Sequence, residues 1–113
     1  MHETTITVTG NTTAEVRAGE TTDGKPTANF TVASPPAWLN RETGAFEDGT
    51  TSFWPVAVFG PQATYVAASV AKGTRVVVTG TVAERSWDDN GSKRSRMEIT
   101  ASVVAISLLF GGR

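Results

Sequence analysis

The chain has 113 residues, enough for one domain built around one hydrophobic core. It contains no cysteine, which excludes a disulfide framework, a thiolate metal site and a cysteine nucleophile. The formal net charge is −1, but residues 1–50 hold seven acids and three bases whereas residues 51–113 hold four acids and seven bases, so the second half carries positive potential that the total hides. The opening MHETTITVTG lacks the apolar core of a signal peptide, and no apolar run approaches the roughly 20 residues of a membrane-spanning helix, so the chain reads as soluble and cytoplasmic.

Strand signals dominate. Thr4–Val8 alternates threonine with Ile6 and Val8, the pattern of a half-buried strand that runs on towards Arg17, with Gly10 allowing a bulge or bend inside it. Ala18–Pro26 is rich in glycine, threonine and charge and reads as a hairpin loop. Thr27–Ser34 is a second strand, Pro35–Gly49 a long loop opened by two prolines and carrying Trp38, and Thr50–Gly60 a third strand. Pro61–Lys72 is the one good helix. Pro61 suits the first helical position, Gly73 suits the position past the end, and Ala63, Val66, Ala67, Val70 and Ala71 form a narrow apolar stripe at helical spacing. Thr74–Trp87, with Gly80 at its centre, is a fourth strand; Asp88–Ser95 is a polar turn containing Asn90-Gly91; Arg96–Leu109 is a fifth strand; and residues 111–113 are a flexible end.

Three strands, a helix and two strands is the element order of an OB-fold: an all-β, five-stranded barrel with one short helix between strands 3 and 4. Central glycines in the first and fourth strands fit the sharp bends of a small barrel. Residues 1–110 are read as this single domain.

Four aromatic residues, Trp38, Phe53, Phe59 and Trp87, are spread over separate strands or loops, with Arg41 near Trp38 and Arg85, Lys93, Arg94 and Arg96 around Trp87. Aromatics and cations interleaved on a small β-domain suit a groove where bases stack and phosphates are neutralised. The opposing reading is that an aromatic in a small domain packs its core. Side chains alternate faces along a strand, so Phe53, Pro55, Ala57 and Phe59 share one face and Trp54, Val56 and Val58 the other. Anchoring on Phe59-Gly60 puts Phe53 rather than Trp54 on the ligand face, and Trp54 points either to the core or to a subunit interface. Arg85 shares strand parity with Trp87 and is expected beside its ring. Arg17, Lys72 and Arg75 are weaker phosphate candidates, and Lys72 at the helix C-terminus is equally explained by the helix dipole. Asp88 and Asp89 are placed to pair with Lys93 or Arg94. His2 stands alone, and no paired carboxylates, metal-ligand spacing, nucleophile elbow or phosphate-binding glycine loop is present, so neither an enzyme nor a cofactor is expected.

The segments TITVTGN (residues 5–11), ANFTVAS (28–34), FWPVAVFG (53–60), AKGTRVVVTGTV (71–82) and ERSW (84–87), in this order and spacing, resemble the bacterial-type single-stranded DNA-binding proteins. The resemblance implies stacking of bases at Trp38, Phe53, Phe59 and Trp87, sequence-tolerant binding of single-stranded DNA in replication, recombination or repair, a nucleoid-associated cytoplasmic location and a homotetramer, with Trp54 a candidate for its interface. Members of that family continue into a flexible tail with an acidic tip that recruits partners. This chain stops at Arg113 without one, so tail-mediated partners are not carried over. Two other readings stand beside this one: a structural or protein-interaction OB module of a replication complex, and a single-stranded RNA binder.

Overall fold

The computed structural model describes residues 3–34, 37–39, 44, 46–48 and 51–108. The strands are β1 (Thr4–Thr12), β2 (Arg17–Glu20), β3 (Pro26–Ser34), β4 (Ala37–Leu39), β5 (Phe46–Asp48), β6 (Ser52–Phe59), β7 (Arg75–Asp89) and β8 (Ser92–Ile106); the helix α1 (Pro61–Ser69) lies between β6 and β7. The main sheet runs β1-β7-β8-β6-β3-β2, and a further pairing of β1 with β3 closes β1, β7, β8, β6 and β3 into a five-stranded ring. The helix follows the third ring strand, as the element order predicts.

The period-two alternation fills the ring. On β3, Ala28, Phe30 and Val32 are buried while their neighbours are half-exposed. Val8, Val56, Val58, Val76, Val78 and Ile99 complete the inner layer, and Ala63, Val66 and Val70 cap it from the helix side. Ala67 and Ala71 of the expected stripe face solvent, so the helix buries a narrower edge than its sequence suggests.

Closure depends on two glycines. A Cβ on Gly10 would run into the Ala33 carbonyl and lie 2.8 Å from Val32 Cγ1, and one on Gly80 would run into the Thr100 carbonyl and lie 2.8 Å from the Ala101 Cα. At Gly80 the register of β7 against β8 also shifts, and Ser102 is the extra residue. Its hydroxyl donates to the Thr79 carbonyl (3.0 Å). Beside this bulge the Gln62 side chain of α1 docks on β8, its amide nitrogen donating to the Ser102 carbonyl (3.1 Å) and its oxygen accepting from the Val104 N–H (2.8 Å).

Several boundaries differ from the sequence reading. The first strand stops at Thr12 instead of running on towards Arg17, which opens β2. The Ala18–Pro26 loop contains β2, which pairs with the start of β3. The Pro35–Gly49 loop contains the two-stranded β4–β5 sheet, with Trp38 opposite Glu47; three-residue strands are too short for alternation to register. The polar turn shrinks to Asn90-Gly91, whose φ of 51° and 83° suit the type I′ turn that this dipeptide favours. The helix ends at Ser69, because Val70 is already extended at φ −101° and ψ 116°. Two buried threonines hold the chain in that exit: Thr12 Oγ1 donates to the Ala71 carbonyl (2.7 Å) and accepts from the Thr74 N–H (3.1 Å), while Thr74 Oγ1 accepts from the Ala71 N–H (3.1 Å). Lys72 therefore lies beyond the helix, and the dipole account of it fails. The flexible end at residues 111–113 lies outside the described residues.

Gly80→Ala forces backbone apart at the bulge. It is expected to cost about 1–3 kcal/mol, the usual range for overpacking, and to lower the melting temperature by about 4–8 °C per kcal/mol in a thermal unfolding scan. An unchanged melting temperature contradicts the close-approach role.

Candidate nucleic-acid interface

The ring's interior is apolar, so function falls to its exterior. On β6, Val56 and Val58 face inward and Trp54 packs half-buried against the core cluster, which leaves Phe53 (63% exposed) and Phe59 (47%) outward. Phe53 and Phe59 take the face that strand alternation predicts, but between them on that face Pro55 is half-buried and Ala57 is buried. Arg17 joins the same outer surface by cross-strand register, opposite Asn29, which is opposite Ala57.

Beyond Val82 on β7 and Ile99 on β8 the apolar alternation stops. Residues 83–97 are all exposed, because between them they offer little to bury, and the β7–β8 hairpin leaves the ring as an arm. The two-residue turn fixes its register: Trp87 is opposite Arg94, Arg85 opposite Arg96 and Ala83 opposite Glu98. Directly opposed residues share a face, so Arg85, Trp87 and Asp89 stand with Arg94, Arg96 and Glu98. Because Ile99 points inward, Glu98 and its row lie on the ring's exterior, continuous with the outward side of β6, the strand next to β8. Trp87 is 44% exposed.

The charges on this face are tied to one another. Arg94 Nε lies 3.1 Å from Asp89 Oδ2, one of the pairings expected from the sequence. Arg85 Nη1 lies 3.3 Å from Glu98 Oε1, and Arg96 Nη2 lies 3.2 Å from Glu98 Oε2. Arg96, rather than the expected Arg85, lies over the tryptophan, with Cζ 5.7 Å from the ring centroid, a cation–π distance. Arg85 has the right parity, but its guanidinium pairs with Glu98 and no cation–π contact with the ring is seen. Lys93 is opposite Asp88 on the arm's other face, away from Trp87.

The remaining candidates lie elsewhere. Lys72 sits in the turn after α1, and Arg75 opens β7 at the end remote from Trp87. Trp38 is placed on β4 in the small sheet, and Arg41 lies outside the described residues. Glu98 was not among the residues that the sequence reading singled out. Counting outward from a two-residue Asn90-Gly91 turn places it diagonal to Arg85 and two residues along the strand from Arg96; reading the turn as residues 88–95 lost that register. Among the described residues no cluster of three or more histidine, aspartate or glutamate side chains is arranged to hold a metal, and no helix is long and apolar enough to cross a membrane.

The closed ring, the helix after its third strand and the long terminal hairpin define an OB-fold. Residues 3–107 match the single-strand binding protein family, and the chain belongs to that family. It is 43% identical over 109 residues to the single-stranded DNA-binding protein of Corynebacterium glutamicum, covering 96% of this chain and 48% of that protein. With its counterpart in Mycolicibacterium smegmatis it shares 38% identity over 109 residues, covering 96% of this chain and 66% of the relative. The chain thus spans about half to two thirds of the length of these curated relatives. Among solved structures it is similar to the small single-stranded DNA-binding protein from Streptomyces coelicolor, with a TM-score of 0.86 and 30% identity over 98% of this chain and 100% of that one. It also matches a Plasmodium falciparum SSB complex with ssDNA at a TM-score of 0.80 over 95% of this chain and 96% of that one; at 20% identity this is a likeness of fold.

The two neighbouring aromatics on β6 should separate by role. Trp54→Ala is expected to destabilise the fold by about 2 kcal/mol, below the range for truncating a fully buried aromatic because the ring is half-buried, whereas Phe53→Ala stays within about 0.5 kcal/mol. Denaturant unfolding of the two variants checks this, and the reverse order contradicts the face assignment.

Proposed function

We propose that this chain binds single-stranded DNA without sequence preference, by stacking bases on Trp87, Phe59, Phe53 and Trp38 and neutralising phosphates with Arg85, Arg94 and Arg96. The observation that carries the proposal is the continuous outer face of β6, β8 and β7, where exposed aromatics and three arginines occur together. Arg17 extends this face at its β2 side, and Arg41, Lys72, Arg75 and Lys93 are secondary phosphate contacts. Family membership and the names of the relatives support the same reading. Residues 1–110 act as one binding module in replication, recombination or repair, without catalysis or a cofactor, in the cytoplasm at the nucleoid. The engagement of all three arm arginines by Glu98 and Asp89 favours a second reading, a protein-interaction OB module with little affinity for nucleic acid, and the titration below decides between them.

A poly-dT oligonucleotide is expected to quench tryptophan fluorescence, with an affinity that falls as salt rises, by a log–log slope of about −0.7 per phosphate neutralised. Unchanged fluorescence at low salt rejects the proposal and leaves the interaction module. Competition with poly-U measures the preference for DNA over RNA. Trp87→Ala should weaken binding by about 1–3 kcal/mol, roughly 5- to 150-fold, and more than Trp54→Ala does.

The module is also proposed to self-associate, as a tetramer by family resemblance. The outward side of β1, β7 and β8 offers Thr5, Thr7, Thr9, Val77, Thr79, Thr81 and Val103, a surface without charge on which Val103 is 53% exposed. Trp54, which lines a depression along β1 with Ile6, Thr7 and Thr9, is proposed as a second contact in the assembly. Light scattering at micromolar concentration is expected to give a multiple of the monomer mass, with Val103→Glu shifting it towards the monomer; a monomeric parent rejects the assembly.

A further inference from the structure

Glu98 is the one buried charged side chain among the described residues, 8% exposed beneath two arginines that are themselves more than half exposed. Its two oxygens are divided, Oε1 at 3.3 Å from Arg85 Nη1 and Oε2 at 3.2 Å from Arg96 Nη2. Arg85 and Arg96 are direct cross-strand partners, and like charges so placed repel. The acid between them removes that repulsion. Arg96 then passes the constraint on to Trp87, whose ring it covers at 5.7 Å. A guanidinium is planar and offers five N–H donors in a rigid fork. With one nitrogen of each arginine held from below by Glu98, the exposed donors of both forks face solvent.

We infer that Glu98 is a positioning residue for the stacking platform. It holds Arg85 and Arg96 in one orientation, seats the Arg96 guanidinium against Trp87, and turns the free edges of both arginines towards an incoming phosphate. For its ligand the inference rests on the single-stranded DNA reading; its geometry is a property of the free protein. A carboxylate in this place also repels phosphate, and burial settles the conflict. The anionic oxygens lie under the guanidinia, and the cluster of Arg85, Arg96 and Glu98 keeps a charge of +1.

Glu98→Gln keeps the side chain's shape and replaces one acceptor with an N–H group that meets another N–H. In the free protein, NMR is expected to show the Arg96 side chain losing the ring-current shift imposed by Trp87. An Arg96 shift retained in E98Q overturns the inference. Oligo-dT affinities of the parent, E98Q, W87A and the double variant form a cycle. The double variant is expected to lose less than the product of the two single losses, by roughly three- to tenfold, the scale of coupling between residues in one network. Losses that simply multiply overturn the positioning role. Arg96→Lys keeps the charge but not the flat fork, and should weaken oligo-dT binding as E98Q does; R96K binding with the parent's affinity also overturns it, and this arm holds if E98Q does not fold. If the parent binds no oligonucleotide, the DNA reading falls while the ring-current measurement still decides whether Glu98 sets the arrangement.

Discussion

A sheet closes on itself only where two backbones approach without side chains between them. In this chain Gly10 and Gly80 supply those places, one where β1 meets β3 and the other where β7 shifts register against β8. The remaining features follow from closure. Once the ring is shut, every strand has an inside and an outside, and alternation assigns each residue to one of them. Valine is the commonest residue inside, with Phe30 the one buried aromatic among the described residues. Branched residues of similar size suit a narrow interior. Phe53, Phe59 and Trp87 lie on the outside, whereas Trp54 packs half-buried against the core.

Closure also separates stability from recognition. The ring and helix hold the buried apolar surface, whereas the arm from residue 83 to residue 97 is exposed throughout and is held by its ladder, its turn and its ion pairs. The Arg94–Asp89 pair is exposed on both sides and contributes little, about 0–1 kcal/mol, whereas the other two pairs share the buried Glu98. Their interest here lies in geometry, since they tie Arg85, Arg94 and Arg96 to fixed partners beside the tryptophan. Changes on the arm are therefore expected to act on the proposed binding with little effect on the ring.

Much of this was legible in the sequence because alternation is a strong signal in strands with one buried face. The contrast of Phe53 with Trp54 follows from parity alone, and Gly10 and Gly80 stand out in runs otherwise rich in threonine and valine. The helix start was legible from Pro61, but its end was not, because the Thr12–Thr74 lock that pulls Val70 into an extended conformation joins residues 62 apart. Trp38 was placed in a loop because a three-residue strand has no period to detect. Arg85 was assigned to Trp87 on parity within one strand, whereas the cation over the ring is Arg96 on the neighbouring strand, and both arginines share Glu98. Local patterns show which face a residue takes; they do not show which of two neighbours on that face wins a shared partner.

The docking of Gln62 on β8 bears on a hazard common to sheet proteins. Strand pairing between β6 and β8 covers only Val56 with Ile99 and Ala57 with Thr100, so the rest of β8 runs past its neighbour with backbone groups to satisfy. An unpaired strand edge is a template on which another chain can add, and chains that leave such edges open are prone to aggregate. The Gln62 amide, donor on one side and acceptor on the other, presents the same two groups as a peptide bond and occupies the Ser102 carbonyl and the Val104 N–H. One side chain thus acts as a single-residue strand, and the helix that carries it withholds these two backbone groups from any added strand.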